Sequence, residues 1–261
     1  MSDRVDRWWL YERTVQEPRA CAAFLRALHA GDPRVLGEDF CGSAALSRAW
    51  VEEVEGGRAI AVDLDGGALE RAGSDARVEL VRGDVRVAVD AARHRADVVH
   101  AGNFSVGELP TRGALLAWLA SARERLSPGG LCVADTYAGA AAWRTGARER
   151  SRWLADGTRL RWLWEQRSAD PATARVVDAL HFRVERAGEV VVDLPDAFVY
   201  RWRLWSPPEL AEAMREVGLK RVEVVTELAH GEDALPEPAT DGPRAGEDEL
   251  FVACVVGRKR A

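Results

Sequence analysis

The first candidate for chemistry is a turn of small residues between a short apolar run and a helix-like segment. The run starts at Val35, the small residues are Cys41, Gly42 and Ser43, and 44–50 carries apolar side chains at helical spacing. This order predicts a buried strand, a tight turn and a helix. Because small residues admit a ligand and backbone N–H groups are exposed at a helix start, the turn is a candidate site for polar or anionic groups.

A carboxylate at the end of the next apolar run complements this turn. Asp63 closes the run 58–63. A strand, a small-residue turn, a helix and then an acidic residue ending a second strand form the layout of a Rossmann-like nucleotide site. In such a site the carboxylate accepts hydrogen bonds from ribose hydroxyls.

These segments resemble the class I S-adenosylmethionine-dependent methyltransferases, whose first motif is an acidic residue followed by a turn close to Gly-Cys-Gly-Thr-Gly. Glu38 stands at the acidic position, and Phe40 and Ala44 replace the outer glycines. This departure disfavours a nicotinamide-dependent reductase, because a pyrophosphate needs the close approach that three glycines allow. S-adenosylmethionine has no phosphate, so a less open loop is tolerated.

Further segments match the family in its usual order, so the resemblance covers roughly 35–137 and resumes from 205. It implies that Asp63 meets the ribose and that Asp84 follows the third strand and meets the adenine amino group. Asn103 lies in Gly-Asn-Phe-Ser, similar to the Gly-Asn-Ser-Phe loop of glycine N-methyltransferase-like enzymes beside the donor methyl and the acceptor.

The implied cofactor is S-adenosyl-L-methionine. Its expected binding residues are Tyr11, Glu38, Phe40, Cys41, Gly42, Ser43, Asp63, Leu64, Asp84, Val85 and Asn103.

Catalytic candidates are Asn103, Tyr137 and His181. Each has a structural alternative: a turn asparagine that bonds local backbone, a tyrosine that packs against the inserted segment, and a lone strand histidine. Tyr11 likewise either packs on the core or reaches the site as a lid closes.

An aromatic segment late in the chain is the candidate acceptor site. Trp162 and Trp164 share one face of their strand, as do Tyr200 and Trp202, because their numbers have the same parity. Together they would form a pocket for a flat or cationic acceptor, with Arg201 binding a carboxylate. The alternative is cross-strand packing that buries one face of a sheet.

Strand and helix patterns alternate from 34 to 137 and predict a parallel sheet with helices on both faces. With the resemblance, the expected fold is Rossmann-like α/β, with a seven-stranded, mostly parallel sheet, N-terminal lid helices and an inserted antiparallel β cap. The expected boundaries are 1–32 for the lid, 33–150 for the cofactor-binding core, 151–205 for the cap and 206–261 for a C-terminal helix and edge hairpin.

Local composition adds three expectations about single segments. The Ala- and Arg-rich segment 138–152 is predicted to be helical, and the cap is predicted to have about three strands. The acidic, Pro- and Gly-containing segment 230–248 is predicted to be a mobile loop.

Composition narrows the classes of partner. The 261 residues carry a net charge of −6 with interspersed basic and acidic residues, which does not match a nucleic-acid footprint. No apolar run spans a bilayer and no signal-peptide core begins the chain, so a cytoplasmic location is expected. The four cysteines are scattered, which predicts no zinc or other metal site.

The leading hypothesis is methyl transfer to N or O of a small-molecule acceptor held under the aromatic cap. Two alternatives stay open: a protein or RNA acceptor, and a non-catalytic S-adenosylmethionine-binding protein. The chain lacks an Asn/Asp-Pro-Pro-Tyr-type motif, which disfavours nucleobase and glutamine acceptors. The acceptor's identity and the formation of a homo-oligomer are also open.

Overall fold

The computed structural model describes residues 5–29, 31–226 and 250–260. They fall into two compact units. The mixed-sheet unit contains Pro18–Tyr137 with 205–226 and 252–260, and the antiparallel unit contains Ala138–Leu204 with 5–17 and 250–251. The units divide the N-terminal helical segment after 17 and take 138–150 with the antiparallel sheet, and the predicted domain boundaries stay a prediction.

Within the described ranges, the helices are α1 (Arg7–Thr14), α2 (Pro18–Leu28), α3 (Ala45–Glu53), α4 (Gly66–Arg71), α5 (Arg112–Arg125) and α6 (Pro207–Glu216). The strands are β1 (Val35–Asp39), β2 (Arg58–Asp63), β3 (Val78–Arg82), β4 (Ala96–Ala101), β5 (Leu126–Ala138), β6 (Gly146–Trp153), β7 (Arg159–Asp170), β8 (Arg175–Arg186), β9 (Glu189–Arg203), β10 (Lys220–Val225) and β11 (Phe251–Arg258).

The mixed-sheet unit is built on a seven-stranded sheet in the order β10-β11-β5-β4-β1-β2-β3. Strands β1 to β5 pair in parallel, and β10 pairs antiparallel with β11 at one edge. The predicted seven-stranded, mostly parallel α/β fold is therefore confirmed, as is its edge hairpin.

Helices cover both faces of this sheet. Val99 of β4 packs in one buried cluster with Trp118 of α5 and residues of α6, whereas Val98 packs in another with Trp50 of α3 and residues of α2. Consecutive strand residues point to opposite faces, so the two clusters lie on opposite sides. Burial on both faces explains why these strands are continuous apolar runs.

The start of α6 follows from its local sequence. The Ser206 hydroxyl accepts a hydrogen bond from the Glu209 N–H, and the Glu209 carboxylate accepts one from the Ser206 N–H. Pro207 occupies the first turn, where its missing N–H costs no hydrogen bond. The predicted capping box is confirmed.

The antiparallel unit is a four-stranded sheet in the order β6-β7-β8-β9. The predicted helix over 138–152 is wrong: the chain makes one 3₁₀ turn at Ala140–Trp143 and then forms β6. β6 pairs with β7 along its whole length, from Gly146 to Trp153. Pairing with a distant strand therefore overrides the helix preference of the Ala and Arg residues, and the sheet gains one strand over the three expected.

Helix α1 packs on this antiparallel sheet. Leu10 is fully buried and clusters with Leu160 and Phe182. Arg152 of β6 donates to the Arg13 carbonyl at 3.0 Å and pairs with Glu17. These contacts explain why α1 belongs to the antiparallel unit.

Two further sequence expectations concern the segment 230–248 and the crossing of a membrane. The predicted mobile loop 230–248 lies outside the described residues. In the ranges that are described, the helices are too short or too polar to cross a bilayer.

The β8–β9 hairpin yields a stability prediction. Arg186 pairs with Glu189, so Ala187 and Gly188 form a two-residue loop, and both have positive φ, 51° and 84°. Such loops favour Asn at the first position, where Ala is strained. We expect Ala187→Asn to raise the free energy of unfolding in urea by about 0.5–1 kcal/mol. Ala172→Asn, in the β7–β8 loop at a residue without positive φ, is the control and should bring no such gain.

Candidate active site

The strand order defines where a ligand can bind in the mixed-sheet unit. β1 lies between β4 and β2, so the chain order reverses beside β1. In open α/β sheets, ligands bind outside the carboxyl ends of the strands at such a switch point. The turn after β1 and the loop after β4 therefore border the candidate site.

The turn after β1 contains three left-handed residues, and only one of them is glycine. Phe40, Gly42 and Ala44 all have left-handed φ angles, 57°, 54° and 56°. A left-handed conformation costs a non-glycine residue roughly 1–2 kcal/mol, so other contacts must hold the turn. The Cys41 N–H donates to the Val62 carbonyl at 3.0 Å, which ties the turn to β2.

Cys41 and Ser43 are buried within this turn. Burial raises the pKa of the Cys41 thiol well above its usual range. A neutral, buried thiol is a poor nucleophile, so the requirement at this position is a small side chain.

Asp63, at the end of β2, links two turns. Its carboxylate accepts hydrogen bonds from the N–H groups of Gly42 at 2.7 Å and Asp65 at 2.8 Å. Each carboxylate oxygen has a second lone pair, so both remain able to accept from a ligand hydroxyl. The next side chain, Leu64, is 67 % exposed and offers an apolar surface at the same strand end.

Asp84, after β3, is paired within its own loop. Its carboxylate accepts from the backbone N–H and the guanidinium of Arg86, which lowers its pKa. Asp84 is therefore ionised at neutral pH. Val85 beside it is buried in the main core cluster.

Glu38 faces α3 and not solvent. It accepts hydrogen bonds from the Ser47 N–H at 2.8 Å and the Ser47 hydroxyl at 2.5 Å. Burial raises the pKa of Glu38 to about 7. The contact fixes the start of α3 relative to β1.

The next residue, Asp39, makes a buried ion pair that the sequence reasoning missed. Its carboxylate accepts from the Trp118 indole N–H at 2.8 Å and pairs with Arg125, and both charged side chains are fully buried. A Cβ on Gly37 would lie 2.8 Å from the Arg125 guanidinium, so a larger residue there would force the buried guanidinium to shift. An arginine at the end of a predicted helix gave no local signal of this partner.

The loop after β4 is held by a second missed carboxylate, Asp135 of β5. Asn103 and Phe104 are consecutive left-handed residues, with φ of 55° and 62°. Their N–H groups donate to the two oxygens of Asp135 at 2.9 and 2.6 Å. The Phe104 ring meets Tyr137 edge-on at 5.1 Å, so Tyr137 of β5 lies beside the loop that carries Asn103. An acidic residue near the end of a predicted strand was the available sequence signal.

The aromatic residues predicted for the acceptor site share one face of the antiparallel sheet. Tyr200 stacks on Trp202 at 4.2 Å and on Trp164 at 5.9 Å. Trp162 pairs with Phe182 on the same face and is buried.

His181 and Arg201 lie on the opposite face of that sheet, since alternate residues point to opposite sides. The His181 imidazole lies 3.2 Å from Glu165, and its Nδ1 accepts from the Asp196 N–H at 3.0 Å. For Arg201, alternation along its own strand already gives the face opposite Tyr200 and Trp202, whereas His181 stands on another strand and its face follows only from the strand pairing.

The remaining predicted site residue, Tyr11, packs within the antiparallel unit. Its ring lies 5.2 Å from Phe198 and 6.2 Å from Trp8. Its expected role as a cofactor contact stays a prediction.

Solved structures share this fold. The chain is similar to DesVI from Streptomyces venezuelae, with a TM-score of 0.73, 20% identity and 100% of both chains covered. It is similar to the sugar N-methyltransferase KedS8 from Streptoalloteichus, with a TM-score of 0.68, 18% identity and coverage of 100% of this chain and 96% of that one.

CalS10 from Micromonospora echinaspora, an amino pentose methyltransferase solved with S-adenosylmethionine bound, is similar with a TM-score of 0.63 and 17% identity. The match covers 91% of this chain and 89% of that one. No family model and no curated protein matches the sequence. The chain therefore has the Rossmann-like fold of S-adenosylmethionine-dependent methyltransferases, as its sequence predicts.

The buried Asp39–Arg125 pair predicts a large loss of stability on truncation. Arg125→Ala leaves a buried carboxylate without its cation, which costs about 3–5 kcal/mol. Urea unfolding followed by circular dichroism measures the change. The control is Arg19→Ala, which breaks an exposed pair with Glu52 and should cost about 1 kcal/mol or less. Equal effects of the two substitutions would contradict the assignment.

Glu38 predicts a pH dependence of stability. Because its pKa is raised to about 7 in the fold, the native state binds more protons than the unfolded state between the ordinary and the raised value. Its contribution is present in full at low pH and is lost as the pH rises through about 7. Between about pH 5 and about pH 8, the free energy of unfolding should fall more in the wild type than in Glu38→Gln. Parallel pH profiles would refute this.

Proposed function

We propose that this protein is an S-adenosyl-L-methionine-dependent methyltransferase that methylates a nitrogen or oxygen of a small-molecule acceptor. The observation that carries the proposal is Asp63, a strand-end carboxylate tied to the Gly42 turn at the switch point of the sheet. The shared fold of CalS10, solved with this cofactor, supports the same ligand.

The cofactor would lie across the carboxyl ends of the central strands. Asp63 would accept from the ribose hydroxyls, Leu64 would pack on the adenine, and Asp84 would meet the adenine amino group. The turn of Phe40 and Ala44 suits a ligand without phosphate, because side chains occupy the positions where a pyrophosphate needs glycine.

The reaction would be an in-line displacement. The acceptor's lone pair forms a bond to the methyl carbon as the carbon–sulfur bond breaks, and that bonding pair passes to sulfur to give S-adenosylhomocysteine. The acceptor's proton leaves to water or a base. The protein's main contribution would be to hold the acceptor in line, and Asn103 and Tyr137 are the candidates for that task.

An amine on a sugar is the first acceptor class to test. KedS8 and CalS10 are a sugar N-methyltransferase and an amino pentose methyltransferase. The stacked Trp164, Tyr200 and Trp202 rings suit a sugar face or a cationic amine. His181 is a candidate base only for an acceptor on its own face of the sheet, opposite these rings.

Calorimetric titration with S-adenosylmethionine and S-adenosylhomocysteine tests the cofactor assignment. We expect saturable binding by the wild type and at least a roughly tenfold higher Kd in Asp63→Asn, because the amide lacks the charge and one of the two accepting oxygens of the carboxylate. Asp75→Asn is the matched control: this half-buried carboxylate pairs with Arg77 before β3, at the other end of the sheet. It should bind like the wild type.

Incubation with S-adenosylmethionine and a panel of amino sugars, followed by mass spectrometry, tests the transfer. A product heavier by one CH₂ unit, together with S-adenosylhomocysteine, is expected. Binding without transfer to any small molecule, protein or RNA would favour a non-catalytic binding protein. Binding of neither ligand by the folded wild type would refute the proposal.

A further inference from the structure

Two consecutive residues after β4 hold a backbone conformation that their side chains disfavour. Asn103 and Phe104 both have positive φ, and neither is glycine. Left-handed residues of this kind persist where surrounding contacts over-determine them. The contact that determines this pair is identifiable from the hydrogen bonds.

Asp135 supplies that contact from the neighbouring strand. Ala101 of β4 pairs with Ala134 of β5, so the carboxylate stands beside the loop that leaves β4. One oxygen accepts from the Asn103 N–H at 2.9 Å and the other from the Phe104 N–H at 2.6 Å. Two successive N–H groups that converge on one anion form a rigid pair of charge-assisted bonds.

The strand order indicates which end of the proposed cofactor would lie beside this turn. If the ribose binds at Asp63 on β2, the ligand continues across β1 towards β4, because β1 lies between them. The sulfonium end then meets the turn of Asn103 and Phe104 and not the adenine side of the site. Asp135 bonds the backbone of that turn, and it is through the turn that it would act on the ligand.

We propose that Asp135 is a positioning residue, whose carboxylate fixes the Asn103–Phe104 turn and thereby shapes the part of the site that faces the transferred methyl group. The inference rests on the proposed function. It predicts that Asp135 affects recognition of the methyl-bearing end of the cofactor more than recognition of its adenosine end.

The surroundings of Asp135 are consistent with a carboxylate that titrates near neutrality. Burial raises its pKa to about 7, although the two amide bonds favour the charged form. Burial, with the charge of Asp135 adding to it, raises the pKa of the thiols of Cys21 on α2 and Cys254 on β11, so both stay neutral. The neighbouring His100 on β4 contacts Cys21 at 3.7 Å, and Glu38 on β1 also acts on that thiol.

Amide hydrogen exchange tests the turn without any ligand. In Asp135→Asn, the N–H groups of Asn103 and Phe104 should lose protection by roughly tenfold or more, because an amide side chain cannot accept both bonds. The N–H groups of Gly42 and Asp65 should keep theirs. Asp63→Asn is the matched control: it makes the same chemical change at the carboxylate that holds those two amides, and should give the reverse pattern.

The pH dependence of exchange adds a second readout. Protection of Asn103 and Phe104 in the wild type should fall as the pH is lowered through about 7, because protonation of Asp135 removes an acceptor. In Asp135→Asn that step should be absent. In Glu38→Gln it should persist, which separates Asp135 from the other carboxyl group whose pKa is near 7.

The ratio of the affinities for S-adenosylmethionine and S-adenosylhomocysteine tests whether Asp135 shapes the site. S-adenosylmethionine and S-adenosylhomocysteine differ by the methyl group that the turn would face and by the positive charge that this group gives the sulfur. Asp135→Asn should raise the Kd for S-adenosylmethionine roughly fivefold or more while changing that for S-adenosylhomocysteine by about twofold or less. Asp63→Asn should weaken both ligands alike, because its contact is to the common ribose.

The outcomes separate the two proposals. Binding of neither ligand by the wild type would refute the proposed function. Binding by the wild type with an unchanged affinity ratio in Asp135→Asn would overturn the positioning role alone, whether or not the two amides lose protection. Loss of protection together with a changed ratio supports it.

Discussion

The candidate site depends on carboxylates at or near strand ends that bind the backbone of turns leaving neighbouring strands. Asp63 holds the N–H groups of Gly42 and Asp65, and Asp135 holds those of Asn103 and Phe104. Turns with left-handed, non-glycine residues are unfavourable alone, and paired charge-assisted bonds compensate for that strain. The loops at the switch point therefore keep one shape even though the first turn has a single glycine.

Inside the core, the central strand β1 also carries carboxylates that hold neighbouring elements in place. Glu38 and Asp39 are consecutive, so they point to opposite faces, one towards Ser47 of α3 and the other towards Trp118 and Arg125 of α5. Each buried carboxylate thus fixes a helix on its own side of β1. The geometry of the site follows from this arrangement, because the turn after β1 begins at the next residue.

The two faces of the antiparallel sheet carry different kinds of side chain. One face carries the stacked Trp164, Tyr200 and Trp202 rings, and the other carries His181 within reach of Glu165 and Asp196. The proposed acceptor surface and the candidate base therefore lie on opposite faces of the sheet and would not serve the same bound molecule. The proposed chemistry therefore relies on positioning at the carboxyl ends of β4 and β5 rather than on a strong base.

The sequence by itself determined the alternating elements, the turn after β1, Asp63 and the capping box of α6, because each of these depends on residues close together in the chain. Only the tertiary structure decided the rest. β6 is a strand because β7 pairs with it, and Asp39 meets Arg125 across 86 positions. Asp135 holds a turn 32 positions away. Such partners leave no local pattern, since their interaction energy exists only after the sheet has brought distant segments together.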